Sequence, residues 1–337
     1  MAQRNHRLDR AKGALVFLVV LGHMLAAVSP WDSDVLRVPQ TAIYSFHIPA
    51  FVFLAGITAK SDRLPQRVAF FLVLLATAMP LYYGWMSLIG LNPEFDSLVP
   101  YWITWFLLAM VWWTLSTPLI ERFPRTLLAV SVLAALFGGI IPTYDYELSL
   151  SRTLVFWPFF VVGKLYGQQI LSWAGGRTPL QKSGLALAAA TPMLLFYLYD
   201  PSKIWFYGVR NFDWHDVGIP EGATTRLIVG LSAALSTVAF CTFMSNRDGY
   251  LCKVGRNSLA VYLLHGFVIR LLDIPLDDSL EHAHSLAMLV ACVLLAMMTT
   301  WLFSLQPFNA GLRAYGEGVV RVIFWPFSRL RSVKASQ

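Results

Sequence analysis

Ten apolar runs, each about as long as a bilayer's hydrocarbon layer is thick, divide this chain into spans and short connections. They lie near 13–29, 42–59, 68–89, 101–120, 126–142, 153–171, 183–199, 225–244, 258–274 and 286–304. A helix needs roughly 20 apolar residues to cross ~30 Å of hydrocarbon. Little sequence remains between the runs for an appended soluble domain. Stretches such as FFLVLLATAMPLYY (70–83) and LVACVLLAMM (289–298) do not alternate in polarity, as the strands of a membrane barrel must. The sequence therefore predicts an all-α integral membrane protein, with about ten transmembrane helices in one bundle. Only 13% of residues are charged, against about 25% in a soluble domain.

Net charge is +7, which raises the question of nucleic acid, but the distribution answers it. With a cytoplasmic N-terminus, nineteen Lys and Arg fall in the N-tail, the C-tail and the connections on that side, while six fall on or beside the opposite side. Fourteen of the nineteen acidic residues lie opposite. This is the positive-inside pattern. It predicts both termini in the cytoplasm and no nucleic-acid partner. Pro30 directly after LAAVS disfavours cleavage of the first run as a signal peptide. Cys241, Cys252 and Cys292 have no metal or disulfide spacing and read as inert.

Three histidines interrupt apolar runs. In DRAKGALVFLVVLGH (9–23), Lys12 and His23 are eleven residues apart, which places both on one helix face and about 16 Å apart along the axis. Lys12 can snorkel at the cytoplasmic edge. An imidazole two-thirds of the way across normally faces a bundle interior or a wet cavity. His47 stands at matching depth on the next, antiparallel run, where Pro49 should kink the helix and Gly56 should permit close packing. His265 stands near mid-membrane, with Ser258 and Tyr262 on its face; Asn257 or Ser258 can cap that helix, and Arg256 beside its N-terminus suits an anion. A hydrogen bond to a neighbouring helix is the plain alternative for His23 and His265, and a lipid-headgroup anchor is that for Lys12. His6, His215, His282 and His284 read as surface residues.

Five segments together resemble the membrane-bound acyltransferase family 3, the bacterial polysaccharide O-acetyltransferases, in a compact, fucose 4-O-acetylase-like form. They are DRAKGALVFLVVLGH, FHIPAFVFLAG with His47 and Pro49, TWFLLAM with Trp105, SRTLVFWPFFVVGKLYG with Arg152, and VGRNSLAVYLLHGF with Tyr262 and His265. The resemblance covers nearly the whole length. Larger members carry a fused extracytoplasmic hydrolase-like domain that is not seen here, so its step is expected to be absent or supplied by a partner. The implied organisation is a basic cytoplasmic N-tail (1–12), a transmembrane acyltransferase domain (13–305) and a basic, aromatic C-tail (306–337) that reads as a membrane-surface segment.

The resemblance implies a multi-pass enzyme of the bacterial inner membrane. Acetyl-CoA would be the donor substrate, with no metal and no bound cofactor. The acceptor would be a sugar hydroxyl of an exported or cell-surface polysaccharide or of its lipid-linked precursor, and polysaccharide assembly machinery is an implied partner. Acetyl-CoA cannot cross hydrocarbon, so a pocket open inward to the nucleotide and outward to the sugar is expected. His23 is the expected general base, since its unperturbed pKa of ~6.5 suits the task, although a covalent acyl-imidazole is an alternative. His47 would assist, with His265 and Tyr262 as further catalytic candidates. Arg10, Lys12, Lys60, Arg63, Arg67, Arg256, Asn257 and Ser258 are the expected acyl-CoA contacts. Arg152, Trp105, Trp214 and Asp216 are the expected acceptor contacts, the last two in an aromatic loop at 200–224. A secondary transporter fits proline-broken helices with midplane polar groups, and a haem protein fits His23 and His47 at equal depth; both remain as competing readings.

Overall fold

Every one of the ten apolar runs contains helix. The computed structural model describes residues 5–28, 33–142, 145–273 and 285–335, with side chains as far as 326; His282 and His284 lie outside this set. The described residues contain no strand. In order the helices are α1 (His6–Val28), α2 (Asp34–Tyr44), α3 (His47–Thr58), α4 (Leu64–Leu88), α5 (Trp105–Arg122), α6 (Pro124–Phe137), α7 (Leu150–Gly175), α8 (Pro179–Tyr199), α9 (Ile204–Tyr207), α10 (Ile219–Thr242), α11 (Tyr250–Arg256), α12 (Ser258–Leu271), α13 (Ser285–Phe303) and α14 (Gln306–Ala335).

Among the described residues, seven segments are long and apolar enough to cross a membrane: α1, the α2–α3 pair, α4, 102–122, 147–175, α10 and α13. Pro124–Ile140 and Ser258–Leu271 are apolar but shorter. The latter, at fourteen residues, spans only about 21 Å. The run expected at 183–199 forms α8, whose first turns carry Gln181, Lys182 and Ser183 and which is not among the seven.

The second span is broken rather than bent. Helix geometry fails at Phe46, where φ is −146°, and Pro49 lies in the first turn of α3 instead of kinking a continuous rod. A proline ring collides with the carbonyl four residues earlier, here Ser45, so the break falls where that collision would occur. His47 is thereby moved to a helix N-terminus.

Small residues set the central crossings. A Cβ on Gly163 would stand 2.0 Å from the Phe53 carbonyl oxygen, and one on Gly56 would stand 2.2 Å from that of Phe160. The α3 and α7 backbones therefore touch, which fixes the register between His47 on one and Arg152 on the other. Gly13 and Gly255 do the same for α1 and α11, where added Cβ atoms would meet Leu251 and Asp9 carbonyls at 2.0 and 1.8 Å. Lys164, inside α7, bonds Glu121 at 2.7 Å and the Ala59 carbonyl at 2.9 Å, clamping the ends of α3 and α5.

The C-terminal segment is helical and packs on the bundle. α14 packs on α4: Gly316 lies against the Phe70 ring, and the Tyr315 hydroxyl meets Thr77 Oγ1 at 2.8 Å. Its amphipathic pattern finds an apolar partner in the bundle itself.

Candidate active site

Two of the three intramembrane histidines open into one cavity of about 450 Å³. α1 supplies His23, the α2–α3 break supplies Tyr44 and His47, and α7 supplies Arg152; Trp102, Trp105, Phe206 and Tyr207 complete much of its wall. Tyr44 links the two imidazoles, its ring centroid 6.4 Å from that of His23 and 5.0 Å from that of His47. The Arg152 guanidinium lies over Trp105 at 4.8 Å and over Tyr146 at 5.1 Å, and its Nε has no hydrogen-bond partner. A cation held by two aromatic faces keeps N–H donors for a guest.

His265 stands directly behind His23. The two rings stack with centroids 5.5 Å apart and an interplanar angle of 28°. His265 is fully buried and does not line the cavity. Its Nδ1 meets the Tyr262 carbonyl at 2.7 Å and the Val261 carbonyl at 3.1 Å, while His47 Nδ1 meets the Ile43 carbonyl at 2.7 Å. A carbonyl can only accept, so Nδ1 carries the proton in both rings. In the neutral rings Nε2 is then the basic nitrogen, and His265 Nε2 is buried with no partner.

Trp102 is one of the residues that the sequence reading missed. Its ring sits 5.0 Å from His23, and the Arg270 guanidinium covers it at 3.9 Å. Its backbone is left-handed, φ +42°, a conformation that costs about 1–3 kcal/mol and clusters at functional sites. Tyr44 was missed as well, because an aromatic beside a span end reads as an interfacial anchor.

Lys12, Lys60, Arg63 and Arg67 line a different cavity of about 740 Å³, joined by Arg313 and Arg321 of α14 and by one acid, Glu317. The two arginines of α14 escaped the sequence reading because the C-tail's charges looked like lipid-facing ones. Lys12 Nζ lies 3.5 Å from Thr58 Oγ1. Arg67 is tied to Asp62 at 3.2 Å, and this bond holds the Asp62 carboxyl below its ordinary range.

The remaining candidates sit elsewhere. Arg10 bonds the Arg247 carbonyl at 2.9 Å, and Arg256 pairs with Asp248 at 3.2 Å. Asn257 precedes α12 but makes no side-chain cap; its amide donates to the Ser304 carbonyl at 2.7 Å and ties α12 to the end of α13. Ser258 begins α12 and lines neither cavity. The Tyr262 hydroxyl donates to the Ile103 carbonyl. Trp214 and Asp216 are also absent from both walls, whereas Phe206 and Tyr207 of the same loop line the histidine cavity. In that loop His215 stacks on Trp205 with centroids 3.8 Å apart, and burial lowers its pKa to about 4. Among the described residues, His6, Asp248 and Cys252 bring donor atoms within 4.8 Å of one another; Arg256 already occupies the carboxylate.

A single through-passage was expected, and two separate hollows are found. No residue lines both. On α3, Phe51 lies between Ile48 of one wall and Ala55 of the other; on α5, Phe106 lies between Trp105 and Met110. Their rings meet at 5.8 Å, and Phe106 meets Tyr262 at 5.5 Å. Seven residues of α3 amount to about 10 Å, which is the thickness of this aromatic partition.

The acyltransferase domain family matches residues 5–305. Two relatives are both called nodulation protein NolL. That of Sinorhizobium fredii is 28% identical over 305 residues, covering 80% of each chain. That of Mesorhizobium japonicum is 24% identical over 310 residues, covering 80% of this chain and 78% of the other. No solved structure matches the chain.

Proposed function

We propose, for a chain that belongs to acyltransferase family 3, that it is an O-acetyltransferase of the bacterial inner membrane with both termini in the cytoplasm. Acetyl-CoA binds in the basic cavity, and a sugar hydroxyl of an exported glycan or its precursor enters the histidine cavity. The observation that carries this reading is that α1 delivers Lys12 to one cavity and His23 to the other, about 16 Å apart. A pantetheine arm is the kind of thin, extended group that joins two such points.

The six cations of the basic cavity suit the phosphates of CoA through charge-assisted contacts. In the reaction the acceptor O–H gives its proton to a ring nitrogen of His23 while its oxygen bonds the thioester carbonyl carbon. The tetrahedral adduct then collapses, the C–S bond breaks, and the departing thiolate takes the proton from His23. The ester and free CoA are formed, and His23 is neutral again. His47, with Nε2 as its acceptor nitrogen, orients the hydroxyl, and Arg152 offers N–H donors to the sugar or to the developing oxyanion. His265 holds the His23 ring by stacking. The reading requires one conformational step: Phe51, Phe106 and Tyr262 must part for the thioester to pass.

His23→Gln and His23→Ala should insert in the membrane yet transfer no radiolabelled acetyl from acetyl-CoA to glycan. Retained transfer removes His23 from the mechanism. Two unconnected hollows also suit a carrier with alternating access; passage of an unmodified solute into proteoliposomes, without acetyl transfer, would favour that reading instead.

A further inference from the structure

The histidine cavity shares part of its wall with a third chamber. Phe156 and Phe206 line both, and the chamber, about 320 Å³, lies between α3, α6, α7 and α10. The character of α7 changes as it passes. Ser149, the residue before it, and Arg152 face the histidine cavity, Phe156 faces both, and Phe159 and Val162 face the chamber. The break before α3 divides in the same way: Tyr44 and His47 line the one, Ser45 and Pro49 the other.

This chamber offers a sugar's hydroxyls little hydrogen bonding. Its few polar side chains are turned to backbone: Ser45 bonds the Ala42 carbonyl at 3.0 Å and Thr237 bonds that of Ala233 at 2.7 Å. Arg226 bonds the carbonyls of Ala135 and Arg210 at 3.2 and 3.1 Å. What remains is largely apolar, including Leu136, Val155 and Ala234, with the ring of Trp205. At one edge stand Leu227, Leu231 and Val132, which are 43%, 62% and 38% exposed. In a multi-pass membrane protein, exposed leucines of this kind face acyl chains.

We propose that the acceptor is an amphiphile, a sugar carried on a long hydrocarbon chain, and that its chain occupies this chamber while the sugar enters the histidine cavity. This narrows the acyltransferase reading above and rests on it. The chain enters from the bilayer past Leu227 and Leu231. Phe156 and Phe206 stand where tail and head meet, so the head reaches His23, His47 and Arg152 without leaving the membrane surface. The wall that Phe156 and Phe206 share with the reacting cavity is what selects the acceptor's own tail over a bulk phospholipid.

Gly230 gives the means of testing this. It lines the chamber, and an added Cβ there meets nothing within 4 Å, so a larger side chain fills the space without colliding with backbone. The protein, in lipid nanodiscs with radiolabelled acetyl-CoA, is offered a panel of hexosides, each as its methyl and its dodecyl glycoside. The dodecyl form of the accepted sugar should show at least a 10-fold higher kcat/KM. Gly230→Phe should bring that ratio close to one, and Gly230→Leu, the gentler variant, should lie between, with the KM for acetyl-CoA unchanged in both. A dodecyl glycoside bearing a terminal diazirine should label α7 and α10 in the wild type and not in Gly230→Phe. Equal use of the two glycosides overturns the tail site and leaves the acyltransferase reading standing. So does a ratio that survives Gly230→Phe, which would show that partition into the bilayer is the whole effect. A diazirine phosphatidylcholine labelling the same positions as strongly reduces the chamber to a lipid groove. Transfer to neither glycoside, with no cross-link, overturns both readings.

Discussion

Gly163→Ala tests whether the α3–α7 crossing positions the reacting groups. The new Cβ would lie 2.0 Å from the Phe53 carbonyl oxygen and 2.9 Å from its carbon. Carbon and carbonyl oxygen tolerate contact at about 3.3 Å, so the two backbones must separate by about 1.3 Å. Neither neighbour is a flexible side-chain end that can swing aside. Overpacking of this kind costs about 1–3 kcal/mol, so the protein should remain folded with a lowered Tm. The catalytic penalty should be larger, since about 1 Å of misplacement can cost 10²-fold and His47 and Arg152 ride on the two displaced helices. The assay compares acetyl transfer and thermal unfolding of Gly163→Ala with Gly184→Ala, whose added Cβ meets nothing within 4 Å. Gly163→Ala at wild-type rate, or both variants equally impaired, would refute the reasoning.

Other expectations follow from the same geometry. Arg313→Glu and Arg321→Glu should each raise the KM for acetyl-CoA about 10- to 100-fold, the worth of one charge-assisted hydrogen bond, with little change in kcat; steady-state kinetics at two salt concentrations checks this. His265→Phe keeps a ring against His23 and should leave kcat within a few-fold, whereas His265→Ala, which removes that support, should lower kcat by about 10²-fold without moving that KM; equal kcat values for the two variants would refute the stacking role. His215 takes its proton only near pH 4 in the folded loop, whereas the unfolded chain takes it near ~6.5. The unfolded state therefore binds more protons between those values, and the loop's stability should fall as pH drops from about 6.5 to 4. Fluorescence of the stacked Trp205 against pH reads the loss, and His215→Phe should abolish the dependence.

Membership of a helical membrane class was legible because hydrocarbon imposes one rule on every span: enough apolar residues in a row, with backbone bonds closed within the segment. That rule located helix at all ten runs; among the described residues seven segments are long and apolar enough to cross, while α12 has fourteen residues and α8 carries polar first turns. The 3.6-residue period likewise placed Lys12 and His23 on one face from their spacing alone. It could not say that the face opens into two hollows. That depends on Phe51, Phe106 and Tyr262, three rings from α3, α5 and α12 that are hundreds of residues apart at the extreme and converge only once the helices pack.

The recruitment of Arg313 and Arg321 was hidden for the same reason. A basic amphipathic helix has one pattern whether its apolar face meets lipid or α4, and only the contact of Gly316 with Phe70 decides between them. Thus periodicity and charge bias, which are local, determined the class and the faces of the helices. Which faces enclose a common space was settled by packing, because a cavity is a property of several helices at once and leaves no mark on any one of them.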